Sequence, residues 1–259
     1  MPQKHSLVLI KLGGSVITDK STPYTANIPA IRSITNVLKR VKSPLIISHG
    51  SGSFGHTSAS LYGGKKGYTS PLGIATVARD AMAINSIIIS ECIRSDLPAI
   101  SFRPMSFFTA DKGELAKGFY DPIDQALSQS LIPVVYGDVI WDKEWKSTIF
   151  SGETTLGYLA IYFQKKYSIQ IIELCDVSGV LDATGQVIPD ITPDTWEKIK
   201  SESITPTIHD VTGGMMHKVE EALTLAKAGI PTRIIDGRDS TILEKVLAGA
   251  KAYGTSIHL

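Results

Sequence analysis

The residues able to do chemistry fall in short stretches that set glycine beside a charged or imidazole side chain. KLGGSVITDK holds Lys11, Gly13, Gly14, Ser15 and Lys20. HGSGSFGH sets His49 and His56 on either side of Gly50, Ser51, Gly52 and Gly55. Further on come Asp138 in YGD, Gly152 and Glu153 in SGE, Asp176 and Gly179 in DVSGV, and Gly213, Gly214 and Lys218 in DVTGGMMHK. A backbone this bare can approach something small and offer its N–H groups, as an anion requires. One such turn is ordinary turn chemistry; several together favour a large, phosphate-rich ligand.

These turns need a scaffold. Apolar runs at 6–11 and 44–48 read as buried strands, each followed at once by glycine. Ile31, Ile34, Val37, Leu38 and Val41 share one face of a helix over 28–41. Further helices are expected at 75–93, 154–167 and 214–229, and from Asp121-Pro122, with Asp121 as the capping acceptor. Strands are expected at 97–102, 130–139, 169–180 and 230–236, with hairpins at 139–150 and 103–120. Strands alternating with helices predict an α/β fold, an open three-layer αβα sandwich around a mainly parallel central sheet. Ligands of such sheets gather at the carboxyl ends of the strands, where these glycine turns fall.

The whole chain narrows the ligand. Its 259 residues carry a net charge of +1, which argues against a nucleic-acid partner, so any anion site is local. Cys92 and Cys175 lie far apart in apolar runs and suggest neither a disulfide framework nor a metal cluster, so the expected compartment is cytoplasmic. The N-terminal apolar run is too short for a signal peptide, and no stretch is read as long enough to span a membrane. Neither GxxxxGK[ST] nor a GxGxxG after the first strand occurs, so a nucleotide would need a different cradle.

KLGGSVITDK, HGSGSFGH, YGDV and DVTGGMMHK together resemble the amino acid kinase superfamily and, within it, the isopentenyl phosphate kinases, from about residue 6 to the C-terminal YGT. The resemblance implies a homodimer of single-domain chains. About 1–167 would hold an isoprenoid monophosphate acceptor and about 168–259 would hold ATP, with Mg2+ accompanying the ATP and no metal held by the protein. It assigns Lys11, Lys20 and Lys218 to the transferring phosphoryl group and His56 to the acceptor phosphate. Gly50, Ser51, Gly52, Gly55 and Gly152 would line the acceptor. Gly13, Gly14, Ser15, Asp176, Gly179, Gly213 and Gly214 would line ATP, and Asp138 and Glu153 would orient the lysines.

That chemistry is self-consistent. Phosphoryl transfer spreads charge over the equatorial oxygens, so catalysis is mostly positioning and cationic stabilisation. A phosphate monoester has a second pKa of about 6, so its attacking oxygen is already anionic near neutrality. No general base is required, and His56 need only donate a hydrogen bond. His49 reads as structural. Met82, Ile87, Ile88, Ile89, Ile149 and Phe150 are candidates for the wall around a five-carbon tail. A phosphonate kinase of the fosfomycin-resistance type is the alternative on the same fold, and a non-catalytic nucleotide-binding protein is a third reading.

Overall fold

The computed structural model describes residues 4–63, 67, 68, 70–203 and 214–259. In chain order the elements are β1 (Ser6–Leu12), α1 (Gly14–Ile17), α2 (Ile28–Leu38), β2 (Leu45–His49), α3 (Gly52–Tyr62), α4 (Pro71–Arg94), β3 (Ala99–Ser101), β4 (Phe108–Asp111), β5 (Glu114–Gly118), α5 (Asp121–Ser128), β6 (Ile132–Tyr136), β7 (Asp138–Asp142), β8 (Lys146–Phe150), α6 (Gly152–Phe163), β9 (Ser168–Cys175), β10 (Asp190–Ile191), α7 (Pro193–Ser203), α8 (Gly214–Lys227), β11 (Thr232–Asp236), α9 (Ser240–Leu247) and β12 (Thr255–Ile257).

The main sheet runs β10-β12-β11-β9-β1-β2-β6-β3, parallel except where β12 meets β11. Alternation along β1 sorts its side chains between two cores. Val8, Ile10 and Leu12 pack with α2, α4 and α9, while Leu7 and Leu9 pack with α5 and α6. The expected αβα layering follows from that alternation. A four-stranded sheet, β5-β4-β7-β8, stands beside it and contains both expected hairpins. The run expected as one strand over 130–139 divides at Gly137, so β6 stays in the main sheet and β7 starts the second.

Other expectations change. The glycine stretch after β2 is mostly helix: α3 starts at Gly52, whose φ of +49° turns the chain out of the strand. Two glycines in its first turn hide it from propensity. Asp121 is the first helical residue rather than the cap, and Tyr120 occupies the cap position. The 24 residues of α4 are long and apolar enough to cross a membrane by length and composition, contrary to the sequence reading. Here α4 is a core helix: Ile84, Ile88 and Cys92 join the main core, and Asp80, Asn85 and Glu91 are buried and hydrogen-bonded.

Candidate active site

β1, β2, β6 and β9 deliver their carboxyl ends to one cavity of about 1240 Å³. Helices α3, α6 and α8 start on its wall, each with glycine as its first residue, beside the one-turn α1 that starts at Gly14. Helix starts carry unpaired N–H groups and partial positive charge, so this wall suits anions. The glycines also let loops stack on each other. A Cβ on Gly14 would lie 2.8 Å from the backbone of Gly52, and one on Gly152 would lie 2.6 Å from the carbonyl oxygen of His49.

Lys11 continues the Leu7 and Leu9 face of β1 but is charged, and it is only 3% exposed. Its Nζ lies 2.5 Å from Glu153 Oε1, and the Lys218 ammonium, one turn into α8, meets the same oxygen. Ser151 caps α6 by accepting from the Thr154 N–H at 2.9 Å, which fixes the turn carrying Glu153. Burial, and then repulsion from Lys11, push the Lys218 pKa down. Two ammonium groups on one carboxylate oxygen are poised to turn toward phosphate oxygens.

Lys20 is mostly exposed and donates to Asp176 at 2.9 Å, bridging the loop after α1 to the end of β9. Burial would raise the Asp176 carboxyl, but hydrogen bonds from Lys20 and Ser15 outweigh it and hold the group low. Asp138 does not orient a lysine. Its buried carboxylate pairs with Arg103 at 3.3 Å, and burial lifts its pKa to about 6 against that arginine's pull. The reason is strand geometry: β7 leaves the main sheet at Asp138 and carries it toward the turn before β4.

His49 is fully buried between the Gly50 carbonyl and Asn85 and stacks on Tyr136, with ring centroids 5.3 Å apart. Burial lowers its pKa to about 4, and its role is structural. His56 is exposed on α3 and lines the cavity. Ala59 follows it one turn on and packs against a small apolar cluster of Tyr68, Val77, Ala78 and Val139. Ala59, Tyr68, Val77, Ala81, Val139, Ile149 and Phe150 make the apolar side of the cavity. Of the tail residues considered from sequence, Ile149 and Phe150 are there, whereas Met82, Ile87, Ile88 and Ile89 do not line it.

Gly13, Gly14, Ser15, Cys175, Asp176, Gly179, Leu181, Gly214 and Met215, from the ends of β1 and β9 and the start of α8, also line the cavity. Gly50, Ser51, Gly52, Gly55 and Gly152 line the same cavity, and Gly213 lies outside the described residues. Sequence reasoning missed Tyr68, Val77 and Val139, which are ordinary core types. Glu173 does not line the cavity but is the register partner of Lys11, and it stands out in sequence as a charge in the apolar strand IQIIELC.

An α/β sheet whose carboxyl edge gathers glycine-started helices and paired lysines, without a Walker-type loop, defines a phosphate-transferring enzyme of the amino acid kinase class. The chain belongs to the amino acid kinase family, whose model matches residues 6–236. Within that family it groups with isopentenyl phosphate kinases. It is 31% identical to that of Methanothermobacter thermautotrophicus over 97% of this chain and 98% of that one. The isopentenyl phosphate kinase of Methanocaldococcus jannaschii is also 31% identical, over 97% and 98%. A solved isopentenyl phosphate kinase matches with a TM-score of 0.81 at 26% identity, covering 97% of this chain and 99% of the other.

Proposed function

We infer that this chain transfers the terminal phosphoryl group of ATP to isopentenyl phosphate, giving isopentenyl diphosphate and ADP. The observation that carries the reading is one cavity with two unlike sides. One set of lining groups is cationic or a helix start: Lys11, Lys20, Lys218 and the first residues of α3, α6 and α8. The other is apolar, Ala59, Val77, Val139 and Phe150 among them, with the exposed His56 also on the lining. The chamber takes the five-carbon tail, and His56 donates to the acceptor phosphate. Lys11 and Lys218 leave Glu153 for the oxygens of the moving group, and Lys20 swings in from Asp176. Gly50, Ser51, Gly52, Gly55 and Gly152 approach the acceptor. The triphosphate lies along Gly13, Gly14, Ser15 and Gly214, with Asp176 and Gly179 toward the nucleoside. On this reading residues up to about 167 hold the acceptor and those beyond hold the nucleotide, with Gly13, Gly14 and Ser15 of the first half reaching the triphosphate.

The carboxylates Glu153, Asp176 and Asp138 each already face a cation. No cluster of three or more His, Cys, Asp or Glu side chains suited to a metal occurs among the described residues. Mg2+ accompanying the ATP would supply charge neutralisation at the triphosphate. We read the working form as a cytoplasmic homodimer. The resemblance implies the dimer, and two buried free thiols suit a reducing compartment.

The test is an ADP-release assay with isopentenyl phosphate, dimethylallyl phosphate, fosfomycin, glutamate, carbamate and UMP. Turnover should be greatest with isopentenyl phosphate. Preference for fosfomycin or a carboxylate acceptor would overturn the assignment.

A further inference from the structure

Glu173 is a buried carboxylate that the reaction above does not use. It continues the Ile169 and Ile171 face of β9, as Lys11 continues Leu7 and Leu9 on β1, and the two residues are register partners. Glu173 is 5% exposed, and its Oε2 has no hydrogen-bond partner among the described residues. Its other register neighbour, Ile234 on β11, is uncharged, and α1 contributes no ionisable side chain. The charged groups acting on it are Lys11 and, from α8, Glu221. Glu221 accepts from Thr154 Oγ1 at 2.5 Å and lies 3.5 Å from His217, and its own Oε2 is also buried without a partner among the described residues. Beyond these lie Glu153 and Lys218.

With every group ionised, this cluster sets two ammonium groups against three carboxylates. The excess charge is negative, just where ATP must bring its phosphates. We propose that Glu173 is a positioning residue for phosphoryl transfer: protonated in the competent enzyme, it leaves Lys11 free for phosphate, and when ionised it draws Lys11 back into the sheet. Burial, outweighing the pull of Lys11, raises its carboxyl to about 7, so the switch falls near neutrality.

This rests on the kinase reading, and two measurements separate the failures. The first is kcat/KM for ATP across roughly pH 6 to 9. Wild type should decline about tenfold above neutrality through a rising KM for ATP. Glu173→Gln, uncharged and of the same shape, should keep that value level and match wild type within about threefold at the acidic end. An unchanged alkaline decline, or loss of activity at every pH in a cooperatively folded Glu173→Gln protein, would overturn the proposal. The second is calorimetry of a non-hydrolysable ATP analogue at about pH 8 in buffers of different ionisation heat. Wild type should take up roughly half to one proton per site more than Glu173→Gln, in which Lys218, whose pKa burial and Lys11 push down, remains to bind a proton. Equal uptake by the two proteins is equally fatal, and this measurement holds even for a protein that fails to phosphorylate isopentenyl phosphate.

Discussion

His56 touches the bound acceptor in the proposed reaction, and its exposed ring has no structural duty comparable to that of buried His49. His56→Ala should therefore cost at least ~10²-fold in kcat/KM for isopentenyl phosphate, about 3 kcal/mol of transition-state binding. The melting temperature and the KM for ATP should hardly move. His56→Gln, which keeps a donor, should recover part of the loss. Steady-state kinetics with either substrate varied checks both. Glu153 is different, because two ammonium groups share one of its oxygens. Glu153→Gln should lower kcat by ~10²-fold or more and cost roughly 3 kcal/mol of stability, since the lysines lose their common counter-charge. Kinetics together with urea unfolding separates the two effects.

At the scale of elements, the glycine turns were legible because helix starts and close backbone approaches need glycine whatever the ligand. Which of them began helices was less legible. Gly52 and Gly55 argue locally against helix, yet α3 forms because Phe54 packs into the main core and Thr18 Oγ1 accepts from the Ser53 N–H at 3.0 Å. Gly52 has φ of +49°, and a Cβ there would run into the Thr18 side chain and lie 2.8 Å from the Gly14 carbonyl. Gly52→Ala should thus cost roughly 1–3 kcal/mol and displace the turn leading to His56. Adding Thr18→Ala should restore only part of the stability, because the Gly14 backbone remains in the way. Thermal melts of the single and double variants measure this, and full rescue would place the conflict in the side chain alone. The tail chamber stayed hidden for a related reason: Tyr68, Val77 and Val139 become a wall only when α4 and β7 converge.

For the whole molecule, two buried ionisable groups oppose each other across the sheet. Glu173 binds its proton more tightly folded, about 7 against 4.5, so its stabilisation is complete below about pH 4.5 and is lost as pH rises toward 7. His49 is depressed to about 4 from 6.5, so its stabilisation is complete above about pH 6.5 and is lost as pH falls toward 4. Between about pH 4.5 and 6.5 their slopes have opposite signs, each on the order of 1 kcal/mol per pH unit. Glu173→Gln removes its own falling component, while that of Asp138, raised to about 6, stays the same in both proteins. Unfolding free energies from urea titrations at fixed protein concentration should then have a pH slope across this window about 1 kcal/mol per unit more positive than in wild type. Parallel curves for the two proteins would mean that Glu173 is already ionised in the folded chain. Lys11 would then rest against a full negative charge, and phosphate would have to compete for it.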